Sequence, residues 1–281
     1  MSVGNNVPQM GYNAVLGLAK ETTFGTFVTS TVFVEFNSES LKHSVDNIKL
    51  ETINGTRDYK KILRGNTTVD GSIEAPFNIA SDAVVLMFKQ AMGGTCTAVA
   101  ASSTSYTHTL RTGDMENNKS SAGAAEFKSL SFAVRPGDSG TNTWNFFGCR
   151  VNSFTLKAEV GQPVAMTAEI IGKGCSTSST IPTAAYSDVN PVMFVGASIQ
   201  TGATTTALAA EYVKSFELSL NNNISGDHRI LGSREVAQLP PVKRDVTLKV
   251  TQVFDTTTAY DRYTQATSTT FELTLDSQVA L

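Results

Sequence analysis

The chain has 281 residues, with 22 lysines and arginines against 25 aspartates and glutamates, and a formal net charge of −3. This slightly acidic balance lacks the basic surface that tight nucleic-acid binding requires. No stretch approaches the roughly 18 apolar residues of a membrane helix, and the first residues lack the charged and apolar regions of a secretion signal. The cysteines Cys96, Cys149 and Cys175 form no CxxC pair and predict free thiols in a reducing compartment.

The first half of the chain predicts two strands and one helix. Residues 38–53 and 66–78 are predicted as strands, and residues 54–65 connect them through a basic loop. Ser81 and Asp82 can cap a helix that runs to Ala91, where two glycines can end it. Segments rich in Ser, Thr, Ala, Gly and Asn are predicted to be exposed loops. These segments are residues 95–105, 113–125 and 175–185.

The second half predicts further strands with the same two-residue period. An extended hairpin covers residues 144–171, with its turn at Val160–Pro163. Strands at 215–228 and 243–254 are joined by residues 231–242, which are apolar and rich in proline. A weaker helix is predicted at Thr256–Ala266, before a last strand at 271–275. The fold is therefore predicted to be mainly β.

A displacement of 177 positions aligns the chain with itself. Both aligned parts contain a strand, a Gly-x-Arg loop, a strand ending in Phe, a short helix and a last strand, for which residues 106–110 match 271–275. This order predicts two tandem related β units, 1–122 with an N-terminal arm and 123–281 with the extended hairpin. The matched pairs include Ser38 and Ser215, Leu41 and Leu218, Ile53 and Ile230, Gly55 and Gly232, Arg57 and Arg234, Val69 and Val246, and Phe77 and Phe254.

Catalytic motifs are almost absent. Residues 137–140 read Gly-Asp-Ser-Gly, as around the nucleophile of trypsin-like proteases, but Thr141 follows and no histidine has a matching context. The three histidines are too widely spaced for a zinc site, and no glycine-rich phosphate loop occurs. The sequence predicts no enzyme, no metal site and no cofactor.

The basic loop has two interpretations. It could be a solvated hairpin tip, or a contact loop that docks on a neighbouring subunit. The apolar residues Ile62 and Leu63, with Val236 and Leu239 in its counterpart, favour the second interpretation, because loops rarely expose apolar clusters without burying them in a contact.

Three segments carry a resemblance to one known family. They are residues 21–26 (Glu-Thr-Thr-Phe-Gly-Thr) with Glu39-Ser40 downstream, residues 147–156 with the 161–163 turn, and residues 215–223. Together they resemble the major tail tube proteins of long-tailed bacteriophages, over about residues 20–280. The resemblance implies a tail-tube-type β-sandwich or β-barrel with short flanking helices. It also implies a structural virion protein, assembled in the host cytoplasm, whose rings stack into the hollow conduit for DNA ejection.

The resemblance implies that the main partner is the chain itself. Three chains with two copies of the fold each would form a pseudo-six-fold ring, and a true hexamer is the alternative. The rings would stack helically and meet terminator, tape-measure and distal tail proteins, while genomic DNA would pass through the lumen without specific binding. No membrane is implied.

Within such a tube, two sets of residues receive roles. The connecting loops would reach the adjacent ring, and a weakly acidic lumen would let DNA slide, because a basic lumen would retain it. Lysines and arginines lie on the same strands, so the sign of the charge that lines the lumen depends on which face of the sheet points inward. The inter-ring set is Arg57, Tyr59, Lys60, Lys61, Ile62, Leu63, Arg64, Arg234, Glu235, Val236 and Leu239. The lumen set is Asp46, Glu51, Asp70, Glu74 and Asp245.

Two other functions remain open at this point. One is a secreted or surface carbohydrate-binding β-sandwich, which would need an exposed aromatic platform. Trp144 is the only tryptophan and is predicted to lie in the core. The other is a different phage structural protein, such as a decoration or capsid protein.

Overall fold

The computed structural model describes residues 11–276 except 54, 56, 60, 94–95, 101–105, 111–128, 138–142, 179–182, 187–189, 203–207, 211, 255–256, 258–259, 262–263 and 265–269. Strands dominate these residues, as the alternation predicts. The strands are β1 (Val15–Glu21), β2 (Val32–Val34), β3 (Ser38–Glu39), β4 (Lys42–Lys49), β5 (Ile62–Pro76), β6 (Cys96–Ala100), β7 (Tyr106–Leu110), β8 (Ser129–Arg135), β9 (Thr143–Glu159), β10 (Ala165–Gly172), β11 (Gly174–Ser178), β12 (Ala197–Gly202), β13 (Leu208–Ala210), β14 (Val213–Asn221), β15 (Asp245–Gln252) and β16 (Thr270–Leu275). The helix α1 spans Asp82–Met92, and short 3-10 turns occupy Gly11–Asn13 and Phe194–Gly196.

The main sheet has six antiparallel strands in the order β4-β5-β10-β9-β14-β15, with β3 also paired to β5. A second layer contains β2, β1, β8, the first half of β9, and β11. The strands β13, β12 and β16 form a small separate sheet, and β6 pairs with β7. The predicted hairpin at 144–171 is confirmed as the β9–β10 pair.

The longest strand, β9, belongs to both layers. Its first half pairs with β8 and β11, and its second half pairs with β10 and β14. Gly148 lies where the strand passes from one layer to the other and has φ +64°. A Cβ atom there would lie 2.6 Å from Cβ of Lys173, so the position suits only glycine.

The hydrophobic core lies between the two layers and includes the buried side chains of Leu16, Ile73, Phe132 and Phe154. Helix α1 packs against it through Met87 and other buried residues of one face. The predicted helix boundaries are confirmed, because Ser81 is the N-cap and Gly93 ends the helix in the left-handed conformation at φ 65°.

The buried carboxylate of Glu21 holds the segment at residues 21–26 in place. Its carboxylate is fully buried and accepts hydrogen bonds from the amides of Gly25 and Gly148 and from the hydroxyls of Ser129 and Ser131. A buried carboxylate is tolerated only when donors of this kind replace water. The acid thereby joins the end of β1, the following turn, β8 and β9.

Some expectations differ from the structure. The predicted loops at 95–105 and 175–185 contain β6 and β11, and β11 forms because it extends the pairing along β9. Trp144 is not a core residue: it is 40% exposed, because its side of β9 lines an open surface pocket beside Phe146 and Cys175. Tyr260, Asp261 and Thr264 are helical. The rest of the weaker helix lies mostly outside the described residues, as do segment 113–125, Asp138–Thr141 and the boundary at 122/123, so the two-unit division remains a prediction.

Candidate functional site

One face of the main sheet is largely polar, with apolar residues only where Ala165 pairs with Pro76 and Ile171 pairs with Asp70. Alternate residues of each strand point to this side, and the pairing registers place them opposite one another from β5 to β15. The other side carries the core residues. We call this surface the polar face; it comprises Ser38, Ser40, Lys42, Ser44, Asp70, Ser72, Glu74, Ser153, Thr155, Lys157, Glu159, Ala165, Thr167, Glu169, Ser215, Glu217, Ser219, Asp245, Thr247, Lys249 and Thr251.

The polar face is weakly acidic. Its six carboxylates outnumber its three lysines, and the remaining positions are mostly small hydroxyl side chains. Lys42 pairs with Asp70 at 3.2 Å, and Lys249 pairs with Glu217 at 3.0 Å. Both pairs are largely exposed, so they contribute little to stability. The excess of carboxylates gives this surface a negative sign.

The structure brings together only part of the predicted lumen set. Asp70, Glu74 and Asp245 lie on the polar face. Asp46 lies at the register shift in β4, and Glu51 follows that strand, so neither belongs to the polar face. Sequence reasoning missed Glu159, Glu169 and Glu217, although they alternate with apolar residues inside the predicted strands, as Glu74 does.

Beyond the main sheet, β4 and β5 continue as a two-stranded ribbon. We use the term ribbon for residues 45–67, where β5 pairs with β4 while β10 begins to pair with β5 only at Val69. A two-stranded ribbon is marginally stable in water, and this one exposes many apolar side chains. They are Val45, Ile48, Ile53, Tyr59, Ile62 and Leu63. The cations Arg57, Lys61 and Arg64 are also exposed, whereas Lys60 lies outside the described residues.

The counterpart loop, residues 222–244, folds back onto the sheet. Val236 and Leu239 are buried in a small cluster with Ile224, against Phe24 and Ile171. The exposure predicted for Val236 and Leu239 is therefore wrong, because the loop covers them itself. Arg234 and Glu235 retain exposed and half-buried positions, and Ile230 and Leu231 are the exposed apolar residues at its tip.

Polar contacts fix the same loop in place. Arg150 Nη1 donates to the carbonyl of Leu239 at 2.7 Å, and its guanidinium lies 5.6 Å from the ring of Phe24. The amide of Thr67 donates to the carbonyl of Arg234 at 3.0 Å. Arg229 donates to the carbonyls of both Arg234 and Thr67. The loop is thus attached to β5 beside the ribbon.

The two borders of the main sheet are β4 and β15. Among the described strands, β4 pairs only with β5 and β15 pairs only with β14. Near β15, the side chains of Val246, Val253 and Phe254 are exposed. Open borders of this kind recruit further strands unless they are blocked.

The two border hairpins have related registers. Five pairs of the first hairpin, between residues 38–44 and 68–74, reappear in the second at the same displacement of 177 positions. The equivalent pairs are Ser38–Glu74 and Ser215–Thr251, Lys42–Asp70 and Ser219–Thr247, and Ser44–Thr68 and Asn221–Asp245. In addition, β1 lies between β2 and β8 as β12 lies between β13 and β16.

The thiols of Cys149 and Cys175 have raised pKa values. Burial raises the pKa of Cys149 well above its usual value and raises that of Cys175 to about 11.

In the described part of the chain, no group of three His, Cys, Asp or Glu side chains could hold a metal ion. No helix described here is long and apolar enough to cross a bilayer.

A family model described as phage tail tube protein matches residues 11–280. Similar solved structures include the sheath-tube complex of an extracellular contractile injection system, at 9% identity and a TM-score of 0.38, covering 64% of this chain and 99% of that one. Another is the sheath/tube terminator of such a system, at 11% identity and a TM-score of 0.37, covering 62% and 99%. The tube-terminating cap of the anti-feeding prophage matches at 12% identity and 0.37, covering 64% and 100%. No curated protein matches.

Proposed function

Because this chain belongs to the phage tail tube protein family, we propose that its open sheet borders are completed by further copies, which form closed rings that stack into a tube. The chain is a structural protein of the virion tail. A tube subunit needs complementary surfaces rather than a reactive site, so we expect no catalytic activity. The family gives no support to carbohydrate binding or to a decoration or capsid role.

The strand directions support ring closure. The six strands of the main sheet alternate in direction, so β4 and β15 run opposite to each other. A neighbour related by simple rotation presents its β4 to β15 of the first chain, and the two strands meet antiparallel. Repetition of this contact around an axis closes the sheet into a barrel and leaves no lateral border.

The polar face supports the assignment of the lumen. In a closed ring the apolar side of the sheet remains packed on the core, so the polar face is the surface available to the channel. DNA carries one negative charge per about 1.7 Å of its axis. Six carboxylates, three lysines and many hydroxyl groups per chain repel the phosphates weakly and remain hydrated. DNA would then slide without specific binding.

The related registers support two tandem copies of the tube fold in one chain. A displacement that preserves five cross-strand pairs is a stronger signal than matched residues alone, because the register fixes which side chains face the core. Three such chains would form a pseudo-six-fold ring, which we favour over a ring of six chains. Partners at the ends of the tube would be the terminator, tape-measure and distal tail proteins.

Stacking of the rings is assigned to the cations of the basic loop. Arg57, Lys61 and Arg64 are exposed on the ribbon, which projects beyond the sheet along the strand direction. Strands of a barrel run along its axis with a tilt, so a projection along the strands approaches the next ring. We retain this assignment for the cations and not for Val236 and Leu239, which the chain buries itself.

The test is a double substitution, Arg57→Glu with Arg64→Glu, observed by negative-stain microscopy and sedimentation. We expect a folded protein that forms rings but no long tubes. The matched control is Lys20→Glu with Lys214→Glu, which reverses two cations outside the loop and should leave tubes intact. Unaltered tubes in the double variant would contradict the stacking assignment. If the wild-type protein stays monomeric at high concentration, the tube function itself fails.

A further inference from the structure

The end of the main sheet opposite the ribbon exposes an apolar surface. The strands β5, β9 and β15 finish at this end, which we call the far end. Backbone hydrogen bonds hold its turns side by side; the donor and acceptor pairs are Val160–Lys214, Phe194–Gln162 and Val253–Tyr212. The exposed apolar side chains there are Val160, Met193, Val195, Tyr212, Val253 and Phe254.

A pocket of about 120 Å³ opens between the layers at the far end. Its lining comes from β9, β12 and β14 and includes Ala158, Ile199 and Phe216, which are buried at this end of the core. The exposed Val160 also lines it, and Lys214 is among its polar residues. An apolar cavity of about 150 Å³ holds a benzene molecule. The pocket is therefore large enough for one aliphatic side chain.

The two ends of the sheet carry opposite charge. The ribbon contains five cations and three carboxylates, and residues 222–244 beside it contain four cations and two carboxylates. At the far end, four exposed carboxylates accompany the exposed Lys214; they are Glu35, Asp82, Glu159 and Asp276. The basic end of one subunit therefore complements the acidic end of another.

The ribbon presents an aliphatic side chain at its tip. Residues 62–68 precede the point at which β10 pairs with β5, so the ribbon extends roughly 20 Å past the sheet at about 3.3 Å per residue. Its last cross-strand pair is Lys49 with Ile62, and Ile53 lies beyond that pair. Ile53 is fully exposed.

We propose that the far end of a subunit in one ring receives the ribbon of a subunit in the next ring, with the side chain of Ile53 in the pocket. Arg57, Lys61 and Arg64 then lie near the carboxylates of the far end. The inference rests on the proposed tube and names the surface that receives its stacking contact. Because the two ends of a subunit are different surfaces, each new ring again presents a free ribbon, and growth continues in one direction.

Disulfide cross-linking tests which surfaces meet. The double variant Ile53→Cys with Val160→Cys is assembled into tubes, oxidised with copper phenanthroline and separated on a non-reducing gel. We expect a ladder of linked chains that continues beyond six subunits, because each chain is joined to one chain above and one below. Each single variant is the matched control and should give at most linked pairs. A ladder that stops at three or six chains would indicate a contact within one ring, and it would overturn the proposal, as would only pairs or no products.

A substitution provides the second test. Val160→Lys places a cation at the pocket and should leave the monomer folded, as judged by circular dichroism, and still able to form rings. We expect the protein concentration needed for tube growth to rise at least tenfold. Phe271→Lys changes a similarly exposed apolar residue on β16 and should leave growth unchanged.

The outcomes distinguish the two proposals. Wild-type protein that forms neither rings nor tubes contradicts the tube function. Normal tube growth with Val160→Lys contradicts only the assignment of the far end as the receiving surface.

Discussion

The carboxylate of Glu21 accepts a hydrogen bond from the amide of Gly148 at 2.9 Å, across 127 positions of the chain. Its other partners, Gly25, Ser129 and Ser131, are donors as well. Glu21→Gln replaces one acceptor oxygen by a donor and leaves buried donors facing each other. We expect a loss of about 1–3 kcal/mol in the free energy of unfolding, measured by urea titration. Glu35→Gln, at an exposed position, should change it by less than about 0.5 kcal/mol.

The two border hairpins allow a matched pair of truncations. Leu239→Ala removes a buried side chain and should destabilise the monomer by about 2–5 kcal/mol. Ile62→Ala, at the equivalent exposed position, should change monomer stability by less than about 0.5 kcal/mol. Both are measured by chemical unfolding under conditions that prevent assembly. Equal losses for the two variants would mean that Ile62 is already buried in the isolated chain.

The net charge of the proposed lumen can be reversed by substitution. Replacing Glu74, Glu159 and Glu169 by lysine makes the polar face basic, since all three lie on it. We expect tubes that still assemble but bind short duplex DNA at low salt and release it at high salt, because phosphate contacts depend steeply on ionic strength. Fluorescence anisotropy of labelled DNA gives the measurement. The control replaces Glu35, Asp227 and Asp261, which are exposed outside the polar face, by lysine. This variant should bind DNA more weakly than the variant of the polar face. Equal DNA binding by the two variants would contradict the lumen assignment.

The raised pKa of Cys175 predicts slow alkylation and a dependence of stability on pH. Burial raises this pKa to about 11 from an ordinary value of 9.0. Below about pH 9 the Cys175 thiol is neutral in both the native and the unfolded chain, so its contribution to the free energy of unfolding does not change with pH. Between about pH 9 and 11 the unfolded thiol ionises first, and the native state loses stability as the pH rises.

The measurement compares unfolding free energies at pH 8 and pH 10 for the wild-type chain and for Cys175→Ser. The variant should lose less stability over this interval, because one of the buried thiols is absent. In a Cys96→Ser background, iodoacetamide at pH 8 should modify the native protein much more slowly than the unfolded protein, since the thiolate is the nucleophile. An equal rate for the two states would contradict the burial of Cys149 and the half-buried position of Cys175.

The sequence predicted the regular elements well where local signals were sufficient. The alternation at 144–171 gave the β9–β10 hairpin, and Ser81 and Gly93 gave the ends of α1, because period and caps are properties of neighbouring residues. It could not show that Val236 and Leu239 are buried. Their cover comes from Phe24 and Ile171, which are distant in the sequence.

The candidate site was predicted in part for a similar reason. Glu74 and Asp70 were identified, but Glu159, Glu169 and Glu217 were not, since the faces of separate strands are related only by the sheet register. Asp46 does not lie on the polar face, because the register shift in β4 interrupts the alternation, and its role in the lumen stays a prediction. The displacement of 177 positions was visible in the sequence, but only the cross-strand pairs show that it preserves the register of residues 38–44 with 68–74.

The strand that serves both layers has a consequence for how the molecule comes apart. Each layer contains one half of β9. Unfolding of one layer therefore also releases the half of β9 that the other layer needs. Thermal denaturation should therefore be a single cooperative event, with calorimetric and van't Hoff enthalpies in agreement. A fragment cut between residues 122 and 123 would separate β1 and β5 from their partners β8 and β10, so neither fragment should fold in isolation.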